Sequence, residues 1–316
     1  MRLFVHVPLV THARLHMLCA AAALLCAPLL AHAGGSANGI IGHWTFDEAT
    51  GTQALDSSGE GNHGSILGGA LRIPGVAGGA LRLNGTNAYV DCGNPAVLNP
   101  ATAITVSAWF RPTAPWAGSG NDPVVDKGFI AHSPPYYQYH LGVTGTQYGV
   151  TPGSAGFTTS GGGSAGAPGG TLVLNQWIML TSTSSAGASR FYVNGTLVHS
   201  GPGTGPMQNY GRPFLIGKFA NLNFHLPGDV DDVQVYDRAL TCAEVRFLFD
   251  NPGAEVVGIH VDPADLNGDG VVNGADLGTL LSNWGPCAAG ACAGDLDCSG
   301  TVDGSDLGAM LAAWTT

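Results

Sequence analysis

Through most of its length the chain reads as short apolar–polar alternations separated by turn signals. Val106, Ala108 and Phe110 alternate with Thr105, Ser107, Trp109 and Arg111, the period of a strand between two environments. Similar short runs occupy 40–46, 79–83, 88–91, 136–143, 176–182, 189–193, 196–200, 213–217 and 229–236. Asn194-Gly195 between Phe191-Tyr192-Val193 and Thr196-Leu197-Val198 predicts a two-residue hairpin. Many short strands with no helical run predict an all-β sandwich or jelly roll over 40–250. Gly and Ser dominate 151–170, which reads as a long flexible loop.

The periodicity changes near the C-terminus. Leu277, Leu280, Leu281 and Trp284 follow helical spacing, and Leu307, Met310, Leu311 and Trp314 repeat it. Each set follows a twelve-residue pattern, D-L-N-G-D-G-V-V-N-G-A-D at 265–276 and D-L-D-C-S-G-T-V-D-G-S-D at 295–306. Both place oxygen side chains at positions 1, 3, 5, 9 and 12 and Gly at position 6, the ligand spacing of a Ca²⁺ loop. Loop one offers Asp265, Asn267, Asp269, Asn273 and Asp276, with the Val271 carbonyl at position 7. Loop two offers Asp295, Asp297, Ser299, Asp303 and Asp306, with the Thr301 carbonyl. From Asp265 onward there are seven Asp and no Lys, Arg or Glu. Their mutual repulsion predicts a tail that orders on binding two Ca²⁺. Helices this short are marginal alone, so the two apolar faces are expected to pack together.

The segment preceding each loop does not read as a helix, and position 12 is Asp rather than Glu. Loop-then-helix, duplicated over 262–316, resembles a type I dockerin domain. That resemblance implies docking of an extracellular enzyme or binding protein onto a cohesin-like module or a cell surface. The family's recognition positions 10 and 11 are here Gly274-Ala275 and Gly304-Ser305, and no basic residue follows.

At the other end, Arg2 and Arg14 precede an apolar stretch at 17–30, and Ala31-His32-Ala33 is an A-x-A cleavage site. Residues 1–33 therefore read as a signal peptide, and the mature chain as secreted or cell-surface with no membrane span. The chain carries 11 Lys and Arg against 22 Asp and Glu, and loses two of the Arg with the signal. That balance excludes nucleic acid and anionic membranes as expected partners. Five Cys remain, and their connectivity is open: Cys287 and Cys292 could close a small ring and Cys92 and Cys242 could join distant segments, which would leave Cys298 odd.

The ordered motifs H-W-T-F-D-E (43–48), D-S-S-G-E-G-N-H-G (56–64), A-L-R-L-N-G (80–85), I-T-V-S-A-W-F-R (104–111), F-Y-V-N-G (191–195) and D-V-D-D-V-Q-V-Y-D-R-A-L (229–240) carry a second likeness. They resemble the laminin-G-like, concanavalin A-like lectin/glucanase superfamily. The resemblance implies a two-sheet jelly roll that binds glycans or proteins. It also implies a Ca²⁺ where the first strand, the D-S-S-G turn and the late strand meet, with Asp56, Asn62 and Asp231 as ligands and Asp47 and Asp232 behind them; the residues alone read equally as an Asx-turn at Asp56 and backbone capping by Asp231. Alternation places Asp231 on one face with Val233 and Val235, where a carboxylate needs a cation or turn amides as partner. Trp44, Phe46 and Trp177 read as core. Tyr136, Tyr137, Tyr139, Tyr148 and Trp116 are either a ligand platform or ordinary packing.

Catalytic carboxylates are hard to find. The chain has four Glu (Glu48, Glu60, Glu244 and Glu255), none with a carboxylate at alternate-strand spacing, and no E-x-D-x-E run. There is no G-x-S-x-G, H-E-x-x-H or P-loop. The expected protein is a non-catalytic binding head, joined through a linker at 251–261 to a Ca²⁺-dependent tail. A divergent glycoside hydrolase or lyase of a polysaccharide-degrading assembly, or a structural cell-surface protein, is the alternative.

Overall fold

The computed structural model describes residues 39–114, 121–128, 135–144, 153–220, 222–256, 262–287 and 292–315. The 1–33 leader, Trp116, Tyr148 and linker residues 257–261 lie outside them. The strands are β1 (Ile40–Trp44), β2 (Gln53–Ala54), β3 (Gly64–Leu67), β4 (Leu71–Pro74), β5 (Gly79–Asn84), β6 (Tyr89–Asp91), β7 (Ile104–Pro112) and β8 (Asn121–Gly128). They continue as β9 (Tyr137–Thr144), β10 (Ser154–Thr159), β11 (Ser164–Ala167), β12 (Ile178–Ser184), β13 (Ser189–Val193), β14 (Thr196–Gly201), β15 (Leu215–Ile216) and β16 (Pro227–Tyr236). The first sheet runs β14-β13-β12-β7-β16-β5-β4, with β1 also paired to β16. The second runs β11-β10-β9-β8-β15-β6-β3-β2. All pairings are antiparallel, as in a sandwich of jelly-roll type.

The alternation predicted for β7 holds. Val106, Ala108 and Phe110 enter the inter-sheet core with Leu81, Leu180, Phe191 and Val230, against Tyr139, Leu141, Phe157 and Ile216 from the second sheet. Trp44 is fully buried, stacked on Phe214 at 5.0 Å, and its indole donates to the Asn62 carbonyl at 3.0 Å. Phe46 is core as expected, and Trp177 is half-buried. The predicted hairpin is present, with φ of 50° at Asn194 and 75° at Gly195.

The structure corrects four expectations. The Gly/Ser stretch holds the hairpin β10–β11, paired to β9. Ala155, Phe157, Ala165 and Ala167 point inward, and a Cβ on Gly166 would meet the Ala155 carbonyl oxygen at 2.7 Å. Small residues there permit close strands, which composition alone reads as a loop.

The head also contains a helix, α1 (Cys242–Asp250). A Thr241/Glu244 capping box starts it, and Val245 and Leu248 seat it on the outer face of the first sheet with Trp109, Tyr192 and Tyr236.

Residues 251–256 are not a free linker. The Ala254 carbonyl accepts from Gln234 Nε2 at 2.9 Å, the Val256 amide donates to Tyr236 Oη at 3.2 Å, and Glu255 meets His43 at 2.8 Å.

Finally, β16 carries an irregularity between Asp231 and Gln234, with φ of 46° at Asp232. The extra residue restores Val233 and Val235 to the face of Val230. Asp231 is thereby turned to the opposite, outer face, across from Trp109.

Candidate functional site

Both twelve-residue patterns fold the same way. The position-1 carboxylate gathers the turn: Asp265 accepts from the amides of Gly268, Asp269 and Gly270 (2.9, 3.1 and 2.6 Å). Asp295 accepts from Ser299 and Gly300 (2.9 and 3.0 Å). The position-12 carboxylate closes it: Asp276 accepts from Asn267 and Asn273, Asp306 from Leu296, Asp297 and Asp303. Position 6 is left-handed in both, with φ of 89° at Gly270 and 81° at Gly300, where Gly has no Cβ penalty. Position 9 caps the helix that follows: Asn273 for α2 (Gly274–Ser282) and Asp303 for α3 (Gly304–Ala312). The position-7 carbonyls of Val271 and Thr301 turn toward their own loops, accepting from Asn273 Nδ2 (3.2 Å) and Ser299 Oγ (2.9 Å).

Loop two brings ligand oxygens of Asp295, Asp297 and Asp306 within 4.8 Å of one another. Burial raises the pKa of Asp295; the Gly300 and Ser299 amides pull it back, and the neighbouring charges of Asp306 and Asp297 push it up again. A carboxylate cluster of this kind, with hydroxyl and carbonyl oxygens beside it, matches the donor chemistry of a hard cation. Loop one has Asn267 where loop two has Asp297 and is correspondingly less charged.

The two repeats pack around Ala264, Val272, Leu280, Val302 and Met310. Their strand contacts are reciprocal. The chain after α2 pairs with loop two (Gly285 with Val302, Pro286 with Thr301), and the Thr315 amide after α3 donates to Val272 of loop one at 3.0 Å. Only Leu280 and Met310 of the predicted apolar stripes are fully buried. Leu281, Trp284, Leu311 and Trp314 are exposed, at equivalent positions of the two repeats.

The expected Cys287–Cys292 ring is present, but the other pairing is Cys242–Cys298, and Cys92 is the free, buried thiol. The correction has a local logic. Cys298 occupies position 4 of loop two with φ of 65°, where Gly268 of loop one has 74°. A non-Gly residue takes that conformation here while bonded to the first residue of α1.

In the head, the candidate ligands divide between two turns: Asp56 and Asn62 are joined within 56–62, and Asp47 and Asp231 both hold 76–79. Asp56 Oδ1 accepts from the His43 and Ser58 amides and Oδ2 from the Asn62 amide. The Asn62 carboxamide donates to the Ile41 carbonyl at 2.7 Å. Asp231 Oδ2 accepts from the Val76 and Ala77 amides, Asp47 accepts from Gly79, and Asp232 binds His43, Gln234 and the Gly253 amide. Asp231 Oδ1 and Trp109 Nε1 are buried without a hydrogen-bond partner, on facing residues. Burial, with the charge of Asp232, pushes Asp231 up to about 7 against the pull of the Val76, Ala77 and Asp232 amides.

Of the candidate aromatic platform, Tyr139 is core, with its hydroxyl on the Leu98 carbonyl at 3.0 Å. Tyr136 is exposed, and Tyr137 stacks on His140 at 4.4 Å with Phe219 at its edge. His140 Nδ1 in turn bonds Asp126 at 2.9 Å.

Residues 84–246 match the family model described as the concanavalin A-like lectin/glucanases superfamily. The chain belongs to that superfamily. The matched stretch runs from the end of β5 into α1 and so covers most of the sandwich. A search of curated protein sequences returned no match.

Solved structures share the superfamily fold at low identity. The binding domain of Paraclostridial Mosquitocidal Protein 1 superposes with a TM-score of 0.51 at 17% identity, covering 67% of this chain and 52% of that one. Domain 4 of AbnA, a GH43 extracellular arabinanase from Geobacillus stearothermophilus, in complex with arabinotriose, gives 0.50 at 22%, covering 66% and 97%. A botulinum neurotoxin type C structure, whose cell entry depends on two ganglioside molecules, gives 0.51 at 14%, covering 68% and 51%. This chain thus spans about half of the two toxin structures and nearly all of the arabinanase domain.

Proposed function

We propose that the chain is a secreted, non-catalytic binding protein whose concanavalin A-like head takes a glycan and whose tail is a Ca²⁺-dependent, dockerin-like docking module. The observation that carries the non-catalytic reading is the fate of the head's buried carboxylates. Asp56, Asp126, Asp229, Asp231 and Asp232 are each held by two or more internal donors, and the one unpartnered oxygen among them, Asp231 Oδ1, is itself buried. A general acid or base needs a carboxyl that reaches substrate. Glycan as ligand is supported by the superfamily and by the arabinotriose-bound and ganglioside-dependent relatives.

For the tail, the oxygen-only loops favour Ca²⁺ held by Asp265, Asn267, Asp269, Asn273, Asp276 and the Val271 carbonyl, and by Asp295, Asp297, Ser299, Asp303, Asp306 and the Thr301 carbonyl. The exposed Leu281/Trp284 and Leu311/Trp314 pairs offer it two equivalent apolar patches for a cohesin-like or cell-surface partner. Secretion is supported by the A-x-A leader and accords with two disulfides. No helix among the described residues is long and apolar enough to cross a membrane.

Two experiments test the reading. The mature chain on a glycan array should retain defined saccharides, and an array without specific hits would refute the head's role. The isolated partner fraction should associate with the chain in Ca²⁺ and release in EGTA; association indifferent to both would refute the tail's.

A further inference from the structure

One line of side chains crosses the outer face of the first sheet, beyond the part that α1 covers. Leu71 of β4 stands opposite Arg82 of β5, Arg82 opposite Asp229 of β16, and Asp229 opposite Arg111 of β7. Trp177 precedes Ile178, which pairs with Phe110, so its ring continues the line beside Arg111. Four inter-strand steps of about 4.8 Å make the row roughly 19 Å long.

Its chemistry is unequal. Asp229 is fully buried, accepts from Arg82 Nε and Nη2 (2.8 and 3.0 Å) and from Arg111 Nε (2.7 Å), and forms an ion pair with Arg111 Nη2 at 2.6 Å. One guanidinium neutralises a buried carboxylate; the second is surplus. The Arg82 side chain is 45% exposed, and that of Arg111 24%. Hydrogen bonding to Asp229 raises the pKa of Arg82. The row therefore carries a fixed net positive charge in a chain whose acidic residues outnumber its basic ones two to one. Both guanidiniums meet Asp229 through their Nε/Nη2 edges, and among the described residues no acceptor holds the Nη1 side of either fork.

The ends of the row are apolar. Trp177 lies under the Arg111 guanidinium at 4.7 Å and is half-buried, with the exposed Val173 and Leu174 in the loop before it. At the other end Leu71 is 60% exposed. A charged centre flanked by an aromatic and an aliphatic surface suits a chain of pyranose rings that carries carboxylates.

We propose that this row is a subsite for a uronate-bearing polysaccharide, lying across the strands with a carboxylate on Arg82 and Arg111. The proposal rests on the reading of the head as a glycan binder and names the class of glycan.

Affinity electrophoresis or calorimetry of the full mature chain tests it, with polygalacturonate, its methyl-esterified form, dextran sulfate and neutral glycans as probes. Polygalacturonate should bind, and the esterified chain should bind at least about tenfold more weakly. Arg82→Gln keeps Arg111 on Asp229 and should lose a similar factor; Arg82→Lys should recover part of it. Leu71→Asp, at an exposed position, places a repelling charge in the row and should weaken binding without affecting thermal stability. Equal binding of the charged and esterified polymers, or unchanged affinity in the folded Arg82→Gln and Leu71→Asp proteins, would overturn the proposal. So would dextran sulfate binding as tightly as polygalacturonate, because charge alone would then account for it. Neutral glycans binding without polygalacturonate would sink the subsite and leave the head's glycan role standing. No binding to any glycan would end both.

Discussion

Cys242, the first residue of α1, is bonded to Cys298 inside the second Asp loop. The bond ties the C-terminal tail to the outer face of the head, where Tyr192 also approaches Cys298 at 3.5 Å. Trypsin cuts on both sides of 239–246, the peptide that carries Cys242, and no Lys or Arg follows Arg246. A non-reducing digest should show that peptide linked to the C-terminal fragment beginning at Phe247, and dithiothreitol should separate them. Linkage of Cys242 to the peptide carrying Cys92 would refute the arrangement.

The tail's carboxylates predict a Ca²⁺-dependent change in order. Helical ellipticity should rise on Ca²⁺ addition and fall with EGTA. At a free Ca²⁺ concentration of about a hundred times Kd, each of the two sites should add about 2.7 kcal/mol to the tail. Asp306→Ala removes both a ligand and the amide acceptor that closes loop two, so it should abolish one of two binding events in calorimetry. Two unaltered events in that variant would count against the ligand assignment.

His43 supplies a pH dependence. It bridges Asp232 Oδ1 at 2.7 Å and Glu255 Oε1 at 2.8 Å and so clasps residues 251–256 to β1 and β16. Burial lowers its pKa, but the hydrogen bonds and charges of the two carboxylates outweigh burial and raise it from 6.5 to about 9. Its contribution is complete below pH 6.5 and is lost as the pH rises through about 9, on the order of 3 kcal/mol. Urea midpoints should therefore fall between neutral and alkaline pH more steeply in the wild type than in His43→Gln. Parallel pH profiles for the two proteins would contradict this clasp.

The hairpin β10–β11 makes a packing prediction. Phe157 is 2% exposed in the inter-sheet core. Phe157→Ala should cost about 3–5 kcal/mol in denaturant unfolding. A loss below about 1 kcal/mol would mean that this Gly/Ser stretch is the surface loop its composition suggests.

The contrast between these elements explains what the sequence reveals. β7 and the Asn194-Gly195 hairpin are legible because large apolar residues alternate and the turn needs two positive φ angles. β10 and β11 are not, because their inward positions are mostly Ala, too small to stand out against Gly and Ser. Helix α1 was signalled by Thr241 and Glu244, a capping box three residues apart that the apolar pattern alone passes over. The face of Asp231 depends on one extra residue in β16, and a single-residue shift inverts every side chain after it. The turns of the tail were legible position by position, with Gly270 and Gly300 left-handed and Asn273 and Asp303 capping the helices, since their geometry is local. The Cys242–Cys298 bond and the Arg82–Asp229–Arg111 row join residues far apart in the chain, and only strand register and docking bring them together.

The central claim is that the head binds glycan without cleaving it. Incubating the mature chain with the polysaccharide it retains most tightly, then measuring reducing ends and unsaturated products over a day, tests that claim most directly. The polymer should be retained with no new ends above the protein-free control. Product that accumulates with time and stays proportional to protein through repeated purification would contradict it.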